Sequence, residues 1–192
     1  SLVLRRDGYS KLPKDNRWGT FPGISAGWVL SRENFMESCS NVLSYAKIRA
    51  SYGANGNVSG VLDANGNVVT GLDYYTVQGS YGIMKDKDGK IVPNYNGKVP
   101  LMINDLPNPT MRWEKSYTFE TGFDIGFLNN KYILNFTYYN RHTQDKFAEI
   151  TLPSHSGVSS FLSNNGEVQN QGMELELTAN VLRTKDWKFT VS

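Results

Sequence analysis

The side chains that enzymes use most often for catalysis are few and scattered in this chain of 192 residues. The two histidines are His142 and His155, and the single cysteine, Cys39, has no histidine near it in sequence. No spacing of these residues is typical of a metal site. Residues 86–89 begin like a calcium-binding loop, but the remaining ligands of that motif do not follow, so a turn is the simpler interpretation. The residue types therefore predict neither an enzyme nor a cofactor.

Charged side chains instead recur at every second position within alternating stretches. Glu174 and Glu176 lie on one face of a strand, where they suit either an acid–base pair or the lining of a polar surface, and lining explains them adequately. Lys115 and Arg183 break the alternation, but both lie near predicted strand ends, where a long side chain reaches water. The polar-face candidates are Lys47, Arg49, Glu120, Asp124, Tyr139, Arg141, Glu174 and Glu176.

Long strands must position these side chains, and residues 113–144 give the clearest example. From Trp113 to Phe127 the odd positions are almost all apolar or aromatic, whereas the even positions carry charges, hydroxyls and glycines. After 129–131 the alternation resumes in the opposite phase. This period of two predicts two strands joined by a tight turn, with one aromatic face and one polar face.

The same alternation predicts further strands and a regular order of connections. Residues 32–43 suit either a short helix capped by Asn34 or a plain connector. Hairpin turns are expected at Asn65-Gly66 and at Asp88-Gly89. The further strands are expected at 1–6, 22–31, 44–53 and 170–183, and from 187 onward. Long loops are expected at about 54–112 and 145–169, and short turns at about 129–131 and 184–186. Aromatic residues flank the strand ends: Trp113 and Tyr117 at the long-loop end, and Phe127, Tyr132 and Trp187 near the short turns.

Composition favours an all-β protein and leaves two settings open. The chain has 11 Tyr, 9 Phe, 4 Trp and 18 Gly, whereas a net charge of +2 and the absence of basic runs argue against nucleic acid. A transmembrane barrel needs strands of ~9–11 residues with apolar side chains towards lipid and polar ones towards the lumen. The alternative is a soluble, carbohydrate-binding β-sandwich whose aromatics form a core or a surface platform.

Five segments together resemble one family. They are RRDGYS at 5–10, NRWGTFPGISAGW at 16–28, AKIRASYGANGN at 46–57, PNPTMRWEKSYTFETGFDIGF at 107–127 and GEVQNQGMELEL at 166–177. Their order and spacing resemble the C-terminal half of the barrel of SusC/RagA-type TonB-dependent transporters of Bacteroidetes. The chain lacks an initiator Met and stops within an alternating stretch, so we expect a piece of a larger protein.

The resemblance implies that residues 1–192 form about seven antiparallel strands of a large, plugged transmembrane barrel in the outer membrane. The parent would import oligosaccharides or peptides with a SusD-like surface lipoprotein, driven by the TonB complex through the missing N-terminal part. The polar-face residues would line the lumen and contact the plug or the solute. Loop aromatics would stack on the solute or pack the loops: Trp18, Tyr74, Tyr75, Tyr81, Tyr95 and Phe161.

Overall fold

One antiparallel sheet of seven strands dominates the computed structural model of the chain, which describes residues 1–39, 41–62, 68–70, 72, 74–92, 95–183 and 188–191. In chain order the strands are β1 (Leu2–Gly8), β2 (Trp18–Val29), β3 (Leu43–Asn57), β4 (Val61–Leu62), β5 (Val68–Thr70), β6 (Ser80–Ile83), β7 (Leu101–Asp105), β8 (Glu114–Phe127), β9 (Tyr132–Thr151), β10 (Ser160–Arg183) and β11 (Lys188–Val191). The large sheet has the order β1-β2-β3-β8-β9-β10-β11, and β4–β5 and β6–β7 form two small ribbons. The prediction of about seven barrel-type strands is confirmed.

The β8–β9 hairpin forms as its alternation predicts. Its register runs from Phe127 opposite Tyr132 to Lys115 opposite Gln144 without interruption. The connecting turn holds Leu128, Asn129 and Asn130 in the left-handed region, with φ of 49°, 58° and 60°. Asparagine enters this region more readily than most residues, because its short polar side chain bonds locally. The two asparagines therefore allow a turn tight enough to keep the long strands in register.

Several strands extend beyond their apolar pattern. β2 begins at Trp18, four residues before the strand expected at 22–31. β9 continues to Thr151 and β10 starts at Ser160, so the predicted loop at 145–169 shrinks to residues 152–159. Backbone pairing continues there from Ser160 opposite Thr151 to Asn164 opposite Phe147, with register shifts around Gly166. The hydrogen-bonded ladder does not depend on a regular apolar alternation.

Of the two turns predicted between β3 and β8, the one at Asp88-Gly89 lies within the described residues. β4 pairs with β5, as the Asn65-Gly66 signal requires, although residues 63–67 lie outside the described part of the chain. At Asp88-Gly89 the backbone N–H of Asp86 donates to Lys90 O at 2.8 Å, and Gly89 has φ of 78°. β6 then pairs with β7.

Helical segments are short. The single α-helical turn of the described residues, α1, spans Tyr74–Gln78. The stretch for which either a capped helix or a plain connector was expected holds the 3-10 segments Leu30–Arg32 and Asn34–Cys39. Three further 3-10 turns occur at Lys14–Asn16, Tyr95–Gly97 and Ser154–Ser156. Within the described ranges, no helix is long and apolar enough to cross a membrane.

A compact apolar cluster, here called the anchor cluster, lies at the end of the sheet where the insertion joins β8. Trp113 belongs to it, with its ring edge-on to Phe21 at 5.5 Å and its N–H donating to Arg17 O at 3.2 Å. Trp113 is only 7% exposed, so this aromatic at the long-loop end packs within the chain and does not face outward. The buried members are Leu12, Phe21, Leu72, Met111, Trp113, Phe147 and Leu162.

Candidate functional site

The register gathers the predicted polar residues on one face of the sheet. Lys47 is opposite Asp124, Asp124 is opposite Asn135, and Asn135 is opposite Glu176, which forms one row across four strands. The next row carries Arg49 and Glu174, the third Glu120 and Tyr139, and the fourth Arg141. We call this surface the polar face. All eight residues singled out by the alternation lie on it.

Arg49 connects three strands of the polar face. Its Nε lies 3.4 Å from Asp124 Oδ1 on β8, and its Nη2 donates to Thr137 Oγ1 on β9 at 2.6 Å. Gly122 stands between Arg49 and Thr137 in the same row. A Cβ at Gly122 would lie 2.3 Å from Phe136 O and 3.3 Å from the guanidinium. Because Gly122 has no side chain, Arg49 has space to extend across β8 to Thr137.

Further polar contacts run across neighbouring strands. Asn135 Nδ2 donates to Glu176 Oε2 at 3.2 Å, and Arg141 Nε donates to Thr118 Oγ1 at 3.3 Å. Most of these side chains keep substantial exposure, so water or another polar surface can reach them. Five predicted residues line one shared concavity: Arg49, Glu120, Tyr139, Arg141 and Glu174. The face offers both signs of charge at short spacing, which suits a polar partner.

The opposite surface, here called the apolar face, is exposed in the isolated chain. Leu4 is 72% exposed on β1 and Met173 74% exposed on β10, and large apolar side chains occupy this face on the strands between them. A contiguous apolar surface of this size does not remain in contact with water. A soluble β-sandwich would cover it with a second sheet, but the described residues outside the main sheet supply only the two small ribbons.

The structure does not gather the predicted loop aromatics into one site. Trp18 begins β2 and shares the apolar face with Ile24 and Trp28. Tyr81 lies exposed on β6, and Phe161 lies half-buried on β10. Among the described side chains, these rings share no contact. Tyr74 and Tyr75 lie in α1 and Tyr95 in a 3-10 turn, with their side chains outside the described set.

Two buried asparagines hold distant backbone segments together, a role that the sequence pattern did not predict. Asn164 accepts from Arg112 N–H at 2.9 Å and donates to Arg112 O at 2.9 Å and Asp145 O at 2.6 Å. Asn108 donates to Leu162 O at 2.9 Å and accepts from Thr110 N–H at 3.1 Å. Both stand in stretches that resemble ordinary turns, because Pro and Gly surround them. Together they fasten residues 107–113 to β10.

An ion pair reinforces this attachment. Arg112 Nη2 lies 2.6 Å from Asp145 Oδ1, and this hydrogen bond raises the pKa of the Arg112 guanidinium. The pair, the two asparagines and the anchor cluster fix the point where the insertion enters β8.

The residues with catalytic potential stay apart. His142 on β9 contacts Glu167 on β10 and Gln144, while His155 lies in a 3-10 turn and Cys39 in another. No group of three or more His, Cys, Asp or Glu within metal-binding reach occurs in the part of the chain that the structure describes.

A long antiparallel sheet with one exposed apolar face and one charged face defines a segment of transmembrane β-barrel wall. Residues 2–192 match the family described as TonB dependent receptor-like, beta-barrel, and the chain belongs to this family. It is 32% identical over its whole length to the TonB-dependent receptor SusC of Bacteroides thetaiotaomicron and 31% identical to the TonB-dependent receptor P3 of Formosa agariphila. The SusC/RagA resemblance is thereby confirmed.

Solved structures agree with this assignment. The RagAB peptide importer in its open-open state matches 98% of this chain with a TM-score of 0.76 and 25% identity, and its closed-closed state gives 0.75. The chain spans 17–18% of the length of the SusC and P3 relatives and 18% of the RagAB chain. It corresponds to one part of a much larger protein in each case.

Proposed function

We propose that this chain is a wall segment of an outer-membrane importer of the SusC type, with its apolar face towards lipid and its polar face towards the lumen. The observation that carries the proposal is the exposure of a continuous apolar face opposite a face that holds all eight predicted polar residues. Lipid covers such a face without a second sheet, and each interior strand already satisfies its backbone groups through its neighbours.

The dimensions of β2 support this orientation. Trp18 and Trp28 both lie exposed on the apolar face, ten residues apart on one strand. At ~3.3 Å per residue they are separated by about 33 Å along the strand. A tilt of ~40° reduces this to about 25 Å along the membrane normal, which equals the apolar band of outer-membrane barrels. Tryptophans favour the two interfaces of the bilayer, so both ends of β2 fit the membrane boundaries.

The connections support placing the insertion on the extracellular side. The connections that follow β1, β3 and β9 start at one end of the sheet, because the strands alternate in direction. The other end carries the tight turn 128–131 and the longer connection 30–42. Outer-membrane barrels have longer loops outside and shorter turns in the periplasm. The connection 30–42 is the exception to this rule.

The polar face would hold the plug of the parent transporter. Arg49, Asp124 and Glu176 present charges of both signs along neighbouring rows, and their partial exposure leaves them free to meet a polar surface. The solute would be an oligosaccharide or a peptide, delivered with a SusD-like surface lipoprotein. The likeness to SusC and to a peptide importer supports this class. Energy would come from the TonB complex through other parts of the parent.

Fractionation and uptake in the parent organism test the proposal. The full-length protein should sediment with outer membranes and co-purify with a surface lipoprotein. Deleting its gene should abolish uptake of either labelled oligosaccharides or labelled peptides, and complementation should restore that uptake. Recovery of the full-length protein from the cytosol, or undiminished uptake of both solute classes, would refute it.

A pair of variants tests the orientation of the two faces. Changing Arg49→Gln and Arg141→Gln together should loosen the plug and increase entry of a large antibiotic such as vancomycin. The matched control is Lys115→Gln, because Lys115 is exposed and has the parity of the apolar face. Equal leakage in the double variant and the control would contradict the assignment of the polar face to the lumen.

A further inference from the structure

Two neighbouring arginines on the edge strand β1 occupy opposite faces of the sheet. Arg5 lies over the Phe21 ring at 5.4 Å and forms an ion pair with Asp7 at 2.7 Å. Arg6 lies over the Trp18 ring at 5.3 Å. None of the ion pairs formed by the described residues includes Arg6. One cation is therefore neutralised within the chain, whereas its neighbour is not.

The unpaired cation lies at the edge of the apolar face. Leu2 and Leu4 precede Arg6 on the same face of β1 and are 80% and 72% exposed. Trp18, under the guanidinium, is itself 60% exposed. Beyond this point the strand ends at Gly8 and residues 9–17 follow. Arg6 thus stands where the apolar surface gives way to the connection at the insertion end.

The stacking prepares the guanidinium for an anion. A ring beneath one face of the planar group restrains it and leaves its N–H donors directed outward along the edges. Such a fork matches the geometry of phosphate and binds it with two parallel hydrogen bonds. Within the described residues, the Trp18 indole N–H is also without a protein acceptor. The pair therefore supplies several donors and one positive charge.

We propose that Arg6 and Trp18 bind a phosphate of an outer-leaflet lipid headgroup. This inference rests on the membrane orientation given under the proposed function. The apolar face below would hold the acyl chains of the same lipid, so a lipid satisfies both halves of the site. A free phosphate would use only the cationic half. At the opposite end of the apolar face Lys131 lies over the Tyr132 ring at 5.8 Å. A cation stacked on an aromatic ring is therefore found at both ends of the apolar face.

The test uses the full-length protein purified from outer membranes in mild detergent. Bound lipopolysaccharide is counted per protein by native mass spectrometry for the wild type, Arg6→Gln and the matched control Arg5→Gln. Arg6→Gln should retain about fivefold less lipid, the factor expected for one basic residue near an anionic surface. Arg5→Gln should retain as much as the wild type. Arg6→Lys keeps the charge and should lose less than Arg6→Gln.

A second measurement identifies the ligand. Enzymatically dephosphorylated lipopolysaccharide should bind the wild type as weakly as intact lipopolysaccharide binds Arg6→Gln, and millimolar inorganic phosphate should not displace the intact lipid. Equal lipid retention by wild type and Arg6→Gln, equal loss in Arg5→Gln, or full displacement by inorganic phosphate would overturn the inference. Correct folding of each variant is verified by heat-modifiable gel migration. Absence of the wild type from the outer membrane would instead refute the proposed function.

Discussion

Replacing Asn164 by alanine should release residues 107–113 from β10. The Asn164 side chain is 8% exposed and makes three hydrogen bonds to the backbone of Arg112 and Asp145. Alanine removes all three bonds while leaving the strand backbone compatible with β10. The groups left behind are two carbonyls and one N–H, and little water reaches them at this buried position.

The magnitude follows from these three bonds. Each lost hydrogen bond costs about 1 kcal/mol, and orphaned buried groups cost ~1–3 kcal/mol. A total of about 3 kcal/mol is expected, since partial relaxation brings some water to the carbonyls. Because ~1.4 kcal/mol corresponds to a factor of ten, local opening should increase by about 100-fold.

Hydrogen exchange of the full-length protein measures this opening directly. In Asn164→Ala, peptides covering residues 107–114 should exchange about 100-fold faster, while peptides from the middle of β8 should remain unchanged. Asn165→Ala is the matched control, because Asn165 is the next residue and is exposed. Unchanged exchange at 107–114 in Asn164→Ala, or an equal increase in Asn165→Ala, would refute the reasoning.

Three further substitutions have defined outcomes. Gly122→Ala should destabilise the barrel by several kcal/mol in thermal unfolding, because its Cβ would lie 2.3 Å from a β9 carbonyl oxygen. Gly27→Ala should be tolerated, because the atom nearest to its Cβ would be a lysine carbon at 3.3 Å. A larger loss of stability in Gly27→Ala than in Gly122→Ala would contradict this packing. Met111→Ala should cost ~2–5 kcal/mol because its side chain is 0% exposed, whereas Met102→Ala, 43% exposed, should cost little. Arg49→Gln should change stability by less than ~1 kcal/mol, because its side chain is 37% exposed; a larger loss of melting temperature would show a structural role instead.

Alternation predicted the faces of the sheet but not the ends of its strands. Period-two patterns assigned Lys47, Arg49, Glu120 and Asp124 to one face, and the register places them there. The same patterns predicted a loop over 145–169, whereas β9 continues to Thr151 and β10 already starts at Ser160. Apolar alternation reports contact with lipid or a core, whereas strand length depends on backbone pairing with a neighbour.

Aromatic residues were the least predictable from the sequence. Trp113 continues the odd-position pattern of β8 but turns into the anchor cluster, because Phe21 and Arg17 approach it from residues about ninety positions earlier. The sequence pattern predicts that Trp18 lies in a loop, yet it begins β2 on the apolar face. Local periodicity carries no information about which distant segment will cover a ring.

The sequence by itself determined the two-faced strands, the tight turns and the family, because these depend on residue type at fixed spacing. The tertiary structure decided what spacing cannot express. It brought Arg49 across Gly122 to Thr137, buried Asn108 and Asn164 against β10, and placed Arg6 over the Trp18 ring on the neighbouring strand. Each of these outcomes depends on strand register and on contacts between distant segments, which exist only once the sheet has formed.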